Sequence, residues 1–275
     1  MKTILSFGGT AVLAGAALIA ALVALESRLI YYPTRDHAAA PSDYGLKAED
    51  LSLKTADGVQ LHGWWIGGSG RTALLFFHGN AGNVSHRLDR SRLLVDRFGL
   101  DVLLLDYRGY GRSGGKPSEA GLYADARAAY DAATARGFTA DQIVLFGESL
   151  GSAVAAQLAL ERPCAGLVLE TPFLSVPALA RRYYPFVPRF LIRTRFDTES
   201  TIGRLTVPKL IIQAERDEIV PGPHARRLFT LAAEPKRLYV IPGAGHNDTY
   251  AVGGEPYFDA WRSFLESLPG LHGHE

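Results

Sequence analysis

The chain has 275 residues, of which 47% are hydrophobic and 21% charged, so it can bury a sizeable core and extended disorder is excluded. Because 29 Lys and Arg residues balance 28 Asp and Glu residues, the net charge of +1 argues against a nucleic-acid partner. The single cysteine, Cys164, rules out an intramolecular disulfide framework and a cysteine-rich metal site.

The first 27 residues form a segment distinct from the rest of the chain. No charged residue occurs from Thr3 to Leu25, and a helix of that length extends about 34 Å, enough to cross a hydrocarbon core of about 30 Å. Residues 1–27 are therefore predicted to be a single-pass membrane anchor, with the side of the membrane left open. The alternative is a cleaved signal peptide, which would make the protein secreted or periplasmic. The anchor is favoured because Lys2 alone precedes the apolar run.

The next two segments are a linker and a hairpin. Residues 28–49 are rich in turn-forming residues and are predicted to connect the anchor to a catalytic domain at residues 50–275. Within that domain, apolar runs at 51–55 and 59–65 flank the dipeptide Asp57-Gly58. This pattern predicts an antiparallel hairpin with a tight turn.

Short apolar runs then alternate with helical patterns along the domain. The predicted strands are Thr72–Phe77, Val102–Leu105, Ile143–Phe146, Gly166–Leu169, Leu210–Gln213 and Leu238–Ile241. The predicted helices are Val84–Phe98, Ser118–Arg136, Gly151–Glu161, His224–Leu231 and Tyr257–Leu268, with Ser118 as an N-cap and Gly137 after a C-terminus. Runs without polar alternation suit strands that are buried on both faces. The pattern predicts an α/β fold with a mostly parallel central sheet, helices on both faces and the antiparallel hairpin at its start.

One long insertion interrupts this alternation. Residues 171–205 separate two predicted strands by more residues than a minimal crossover needs, and they are predicted to form a small helical lid. The lid carries the aromatic residues Tyr183, Tyr184, Phe186, Phe190 and Phe196 and the basic residues Arg181, Arg182, Arg189, Arg193 and Arg195. These aromatic residues either line an apolar substrate pocket or pack the lid onto the core, and the sequence does not separate the two interpretations.

A candidate nucleophile lies between a predicted strand and a predicted helix. The run Gly147-Glu-Ser149-Leu-Gly151 fits the pattern G-x-S-x-G, in which two glycines allow a sharp turn that exposes the serine hydroxyl. The following helix N-terminus favours developing negative charge beside the serine. We therefore predict that Ser149 is a catalytic nucleophile.

A serine nucleophile needs a base, and the base needs an orienting acid. Asp217 follows one strand and His246 follows the next, which gives the chain order Ser, Asp, His expected for this type of turn. The competing acids are Glu170, Glu215 and Glu218, and the competing bases are His224, His272 and His274. The predicted catalytic triad is Ser149, Asp217 and His246.

Backbone amides after two strands are predicted to form an oxyanion hole. One is the N–H of Leu150, directly after the nucleophile, and the other is the N–H of Asn80 in the glycine-rich loop that follows the strand 72–77. His78 in the same loop is expected to brace it.

Two sets of polar residues outside these motifs are interpreted as solvated. His37, His62 and His86 do not follow predicted strands, and the arginines at 87, 90, 92 and 97 alternate with acidic residues along a predicted helix. No cluster with metal-ligand spacing is evident, so neither a metal nor another cofactor is expected.

These motifs together resemble the α/β-hydrolase superfamily. The run Asp106-Tyr-Arg-Gly-Tyr-Gly-Arg-Ser-Gly114 and the loop His78-Gly-Asn-Ala-Gly-Asn83 are similar to those of a narrower group of N-terminally anchored, small-lidded serine hydrolases that includes depalmitoylating thioesterases. The resemblance implies the triad Ser149, Asp217 and His246 and no cofactor. The motifs do not name a substrate, and the lid is the better indication. An apolar pocket beneath basic residues suits a carboxylic ester or thioester, either a small molecule or an acylated, lipid-like molecule at an anionic membrane.

Two other functions stay open from the sequence. A serine peptidase of the same fold would use the same triad, and a membrane-tethered binding protein could keep the fold without the chemistry. The oligomeric state is not indicated by any feature of the sequence.

Overall fold

The structure is a computed structural model that describes residue 15 and residues 17–269. Residues 17–24 are helical, and helix α1 (Glu26–Ile30) follows after a turn. Most of the predicted membrane anchor, residues 1–14 and 16, lies outside the described residues. Among residue 15 and residues 17–269, no helix is both long and apolar enough to cross a bilayer.

The remaining elements alternate as the sequence predicts. The strands are β1 (Tyr32–Pro33), β2 (Ala48–Lys54), β3 (Gln60–Ile66), β4 (Ala73–Phe77), β5 (Ala81–Gly82), β6 (Asp101–Leu105), β7 (Ile143–Glu148), β8 (Gly166–Glu170), β9 (Lys209–Ala214) and β10 (Lys236–Ile241). The helices after α1 are α2 (Leu88–Phe98), α3 (Glu119–Ala135), α4 (Leu150–Glu161), α5 (Val176–Tyr183), α6 (Thr198–Ile202), α7 (Pro223–Leu231) and α8 (Thr249–Leu265).

An eight-stranded sheet forms the centre of the domain, in the order β10-β9-β8-β7-β4-β6-β3-β2. Strand β3 runs antiparallel to β2 and β6, and the other neighbouring pairs in this sheet are parallel. The prediction of a mostly parallel sheet with an antiparallel hairpin at its start is confirmed. A separate parallel pair, β1 with β5, lies outside this sheet and was not predicted.

Each face of the central sheet packs against helices. Strands β4, β6 and β8 are buried along their whole length, as the unbroken apolar runs predict. Side chains that alternate along each strand enter two separate cores, one shared with α3 and α4 and the other with α2 and α8. The predicted helix caps are also present, since Ser118 Oγ accepts from the Gly121 N–H at 3.2 Å and Gly137 has a φ of +94°.

The last helix is divided into two parts by a kink. Helix α8 spans Thr249–Leu265, but the backbone at Gly254 is non-helical, with φ 51° and ψ −143°. The part after the kink corresponds to the helix predicted at 257–268, whereas the short part that begins at Thr249 was not predicted. This short part places the Thr249 hydroxyl 2.6 Å from Glu170 Oε1.

Candidate active site

The nucleophile turn has the geometry that its sequence predicts. Ser149 joins β7 to α4 with φ 51° and ψ −112°, a conformation that is strained for a residue with a side chain. A Cβ atom at Gly151 would collide with the Phe77 carbonyl, and one at Gly147 would collide with the backbone of Gly151. The two glycines are thus required by close backbone contact.

Ser149, His246 and Asp217 form one continuous hydrogen-bonded chain. The Oγ of Ser149 lies 3.0 Å from His246 Nε2, and His246 Nδ1 lies 2.9 and 2.8 Å from the two carboxylate oxygens of Asp217. The Asp217 carboxylate also accepts hydrogen bonds from the N–H groups of Ile219 and Val220, at 2.9 and 2.6 Å. These contacts orient the carboxylate toward the imidazole, as a triad requires.

The competing acids and bases have other contacts. Glu218 accepts from the backbone N–H of His246 at 3.2 Å, and Glu215 accepts from the Gly243 N–H at 2.8 Å. His224 Nδ1 accepts from the Leu174 N–H at 3.2 Å. His272 and His274 lie outside the described residues. The structure therefore brings together the three residues that the sequence selects, and their catalytic role is taken up below as a proposal.

The loop predicted to form the oxyanion hole, residues 79–83 (the oxyanion loop), is fixed on both sides of Asn80. His78 Nδ1 donates to the Gly79 carbonyl at 2.7 Å, which orients the peptide unit that carries the Asn80 N–H. Burial and the nearby Arg87 lower the pKa of His78 to about 4, so the ring is neutral at physiological pH. The Asn80 carbonyl accepts from the Tyr110 hydroxyl at 2.8 Å. Asn80 and Leu150 line the same cavity as Ser149.

A group of buried and half-buried charges, the ionic floor (Arg87, Arg90, Glu148 and Glu170), adjoins the turn at Ser149. Arg87 binds both oxygens of Glu148, at 2.9 and 3.1 Å, while Arg90 binds Glu170 at 2.7 Å and Glu148 at 3.3 Å. Burial would raise the pKa of Glu148, but the two arginines lower it to about 2. Glu170, a competing triad acid in the sequence, belongs to this floor.

The interpretation of the arginines at 87, 90, 92 and 97 as one exposed helix face is wrong for Arg87 and Arg90. Arg90 is only 4% exposed and Arg87 pairs with the partly buried Glu148, whereas Arg92 and Arg97 are exposed as predicted. The error arises because the partners of Arg90 lie 58 and 80 positions away in the chain. A charge pattern within one helix carries no information about them.

The interpretation of His37 and His62 as solvated is also wrong. His37 Nε2 and His62 Nδ1 both contact the same oxygen of the buried Asp106, at 2.9 and 3.0 Å, and His62 Nε2 contacts Asp50 at 2.9 Å. Although burial lowers the pKa of His62, its bonds to Asp106 and Asp50 raise the pKa overall. His37, His62 and Asp106 offer three atoms of metal-ligand type within 4.8 Å of one another, a grouping that the sequence analysis missed.

An apolar cavity of about 180 Å³ is lined in part by Ser149. Its polar lining residues are Glu26, Asn80 and Ser149. Its apolar walls come from the N-terminal helical segment, from the lid and from the loop between β9 and α7 that carries Asp217 (the acid loop, residues 215–222). The apolar lining residues include Leu22, Leu29, Ile30, Phe173, Val176, Leu179, Ala180, Tyr184, Leu191 and Ile219. The helix α1 that follows the predicted anchor is thus a wall of the candidate active site.

The lid aromatic residues divide between the two interpretations left open by the sequence. Phe196 is fully buried and packs edge-on against Tyr31 and Tyr123, as a core residue does. Phe186 and Phe190 are 53% and 78% exposed, and Tyr183 lines the cavity. The five lid arginines named above are all exposed.

The sheet order and the strained strand–turn–helix at Ser149 define an α/β-hydrolase fold. Comparison with solved structures gives the same fold: an esterase from Pyrococcus furiosus superposes with a TM-score of 0.72 at 21% identity, over 87% of this chain and 98% of that one. The sequence profile described as serine aminopeptidase, S33 matches residues 68–198.

Several proteins of known sequence are similar over nearly their full length. An uncharacterised protein of Mycobacterium tuberculosis is 42% identical over 87% of both chains. The α/β-hydrolase domain-containing protein WAV2 of Arabidopsis thaliana is 36% identical over 94% of this chain and 92% of its own. An uncharacterised membrane protein of Saccharomyces cerevisiae is 33% identical over 90% and 91%. This chain therefore belongs to the α/β-hydrolase superfamily, as its motifs predicted.

Proposed function

We propose that this protein is a serine hydrolase that cleaves carboxylic esters or thioesters with apolar acyl groups. The observation that carries the proposal is the hydrogen-bonded chain of Ser149, His246 and Asp217 at the inner end of an apolar cavity. An activated serine supplies the nucleophile, and the cavity supplies a binding site for a hydrocarbon chain. The name of the Pyrococcus protein, an esterase, agrees with this chemistry.

The reaction proceeds by two acyl transfers. His246 Nε2 removes the Ser149 proton as Oγ attacks the substrate carbonyl, and Asp217 stabilises the resulting imidazolium through Nδ1. The N–H groups of Asn80 and Leu150 bind the oxyanion, each contributing about 3 kcal/mol. The imidazolium then protonates the leaving alcohol or thiol, and water deprotonated by His246 releases the acid and regenerates Ser149.

The lining of the cavity favours an acyl chain over a peptide. A free peptide amino terminus would need a carboxylate partner, and Glu26 is the acidic residue in the lining. Its carboxylate already accepts hydrogen bonds from the N–H groups of Arg193 and Thr194, the latter at 2.6 Å. An aminopeptidase, the activity named by the matching profile, is the second candidate because Glu26 could exchange these bonds for an ammonium group.

We further propose that the substrate lies in or at an anionic membrane. The exposed Phe186 and Phe190 are flanked by exposed lid arginines, a combination suited to a surface with apolar chains beneath negative headgroups. The yeast relative is named as a membrane protein, which agrees with the single-pass N-terminal anchor predicted from the sequence.

The test uses the full chain in detergent micelles with a fluorophosphonate probe and three substrate series. Labelling should be lost in Ser149→Ala, and Asp217→Asn should lower kcat about 10⁴-fold. Because each buried methylene contributes about 0.8 kcal/mol, kcat/KM should rise about fourfold per methylene of a 4-nitrophenyl ester or acyl thioester until the cavity is full. Faster cleavage of amino-acid anilides would favour the aminopeptidase, and an unlabelled but folded wild type would favour a binding protein.

A further inference from the structure

We propose that residues 30–37, here called the strap, position the oxyanion loop. The rate of hydrolysis then depends on where the strap lies against that loop. This inference rests on the proposed function, because it concerns the donors that bind the oxyanion. The strap runs from the last residue of α1 through β1, and the oxyanion loop contains β5, its pairing partner.

The first contacts fix Asn80, the loop residue whose N–H is assigned to the oxyanion. The Tyr32 N–H donates to the Asn80 carbonyl at 2.9 Å, and the Asn80 side-chain amide donates to the Ile30 carbonyl at 2.9 Å. The strap therefore holds both the backbone and the side chain of Asn80. Together with the His78 bond to Gly79, these contacts leave the two peptide units around Asn80 little freedom to rotate.

The second contacts fix the other end of the loop. The Thr34 N–H donates to the Gly82 carbonyl at 3.1 Å. The buried Asn83 side chain donates to the Thr34 hydroxyl at 3.0 Å and to the Asp36 carbonyl at 2.8 Å. A buried amide that satisfies both of its hydrogens on one segment specifies where that segment lies.

The strap ends at a buried charge that also holds the chain beyond the loop. His37 Nε2 contacts Asp106 at 2.9 Å, and the other oxygen of Asp106 accepts from the Val84 N–H at 3.1 Å. Burial would raise the pKa of Asp106, but its hydrogen bonds from His37, His62 and Val84 lower this pKa well below the ordinary range, so the Asp106 carboxylate is ionised. The same carboxylate therefore binds the last residue of the strap and the residue that follows the oxyanion loop.

These contacts connect the N-terminal segment to the chemistry. Ile30 belongs both to α1, a wall of the cavity, and to the strap that holds Asn80. One stretch of chain therefore joins the predicted anchor, the acyl cavity and an oxyanion donor. Since misplacing a catalytic group by about 1 Å costs on the order of 100-fold in rate, a small shift of this strap is sufficient to alter activity.

The sharpest test removes one N–H group without removing a buried side chain. Tyr32 is 50% exposed, so Tyr32→Pro deletes the N–H that donates to Asn80 while Tyr32→Ala keeps it. Tyr31, with φ −107° and ψ 124°, already has the backbone conformation favoured before proline. In the full chain, we expect kcat on a short ester to fall about tenfold or more in Tyr32→Pro and to change less than about twofold in Tyr32→Ala.

KM and the pH profile of the reaction distinguish a misplaced oxyanion loop from a loss of structure. KM and the pH profile should be nearly unchanged in Tyr32→Pro, because the cavity and the triad are untouched. Equal kcat in the Pro and Ala variants, with an active wild type, overturns the strap proposal. An inactive wild type overturns the proposed function itself, and the catalytic role of the strap with it.

A second pair of variants covers the case in which Tyr32→Pro does not fold. Thr34→Val removes the hydroxyl that accepts from Asn83, and Thr34→Ser retains it. We expect a fall in kcat of about threefold in Thr34→Val and recovery in Thr34→Ser. If both variants keep the wild-type kcat, the strap does not position the loop.

Discussion

The ionic floor and the apolar cavity both adjoin Ser149, but they are built from opposite kinds of side chain. The floor consists of two arginines and two carboxylates, with Arg90 4% exposed and Glu170 1% exposed. The cavity is lined by aliphatic and aromatic side chains, and its lid leaves Phe190 78% exposed. The floor has one arrangement in which its charges are satisfied, whereas an apolar wall can pack in several ways.

This difference matches what each region must do. A buried ion pair adds little net stability over an apolar pair, but breaking it is costly, so it fixes the position of the nucleophile turn. The polar contacts of the lid, such as those of Tyr183 and Glu26, are partly exposed to water and are therefore weaker. Under the proposed function, the ionic floor holds Ser149 in place, and the more weakly held lid admits the substrate.

Breaking the floor should give the largest effect. Arg90→Met leaves Glu170 and Glu148 without their buried partner, and we expect the free energy of unfolding to fall by about 3–5 kcal/mol. Urea unfolding followed by circular dichroism measures this change. Arg92→Met on the same helix is the matched control, because its pair with Asp96 is exposed and is worth less than about 1 kcal/mol. Equal losses in the two variants would show that the floor is no different from a surface ion pair.

Filling the cavity should change substrate preference while leaving stability nearly intact. Ala180→Phe adds an aromatic ring to the cavity wall. We expect kcat/KM for eight-carbon and longer esters to fall about 10–100-fold, because several methylenes can no longer be buried, with little change for acetate. Arg181→Phe adds the same ring to an exposed site on the same helix. If Ala180→Phe lowers the rates for all chain lengths alike, the cavity does not bind the acyl chain.

The sequence selected Ser149, Asp217 and His246, which the structure brings into contact, because each of them can be recognised locally. Ser149 has its own motif, and Asp217 and His246 each follow a strand that is rich in apolar residues. Parallel strands bring such positions to one edge of the sheet, so chain order and strand ends were sufficient. The arrangement of helices and strands was predictable because it, too, follows from local patterns of apolar residues. The kink at Gly254 was not predictable, because glycine and proline indicate a break in a helix without specifying its angle.

The floor and the strap could not be predicted because their contacts are distant in sequence. Arg90 binds Thr249 across 159 positions, and no spacing rule connects the two. Strands β1 and β5 have two residues each, too few to show any periodicity. Burial of a charged residue depends on whether a complementary charge arrives from another element, and this is decided only when the chain is folded.

Removing the exposed aromatic residues should affect membrane substrates alone. The double variant Phe186→Ser and Phe190→Ser should lower activity on an ester embedded in vesicles of anionic and neutral lipid about tenfold, because part of the burial energy of two rings is lost. Activity on a soluble acetate ester should stay within about twofold. Val252→Ser, an exposed apolar residue on α8, is the control. If the double variant is as active as wild type on vesicles, the lid does not contact the membrane.

The smallest effect should come from the hydrogen bonds that join the lid to the acid loop. The Tyr183 hydroxyl donates to the carbonyls of Glu218 and Ile219, at 3.2 and 2.7 Å, directly after Asp217 in the chain. Tyr183→Phe removes only this hydroxyl, and because a net hydrogen bond contributes about 0.5–1.5 kcal/mol, we expect lid amides to exchange with deuterium about three- to tenfold faster.

The exchange of β4 and β7 amides should be unchanged in Tyr183→Phe, because those strands open only with the whole domain. Tyr184→Phe is the matched control, since no described residue accepts a hydrogen bond from the Tyr184 hydroxyl. Faster exchange in the strands as well would mean that the lid and the sheet open together. In that case the lid could not open for the substrate independently of the ionic floor. The ionic floor and the apolar cavity would then differ in composition but not in rigidity.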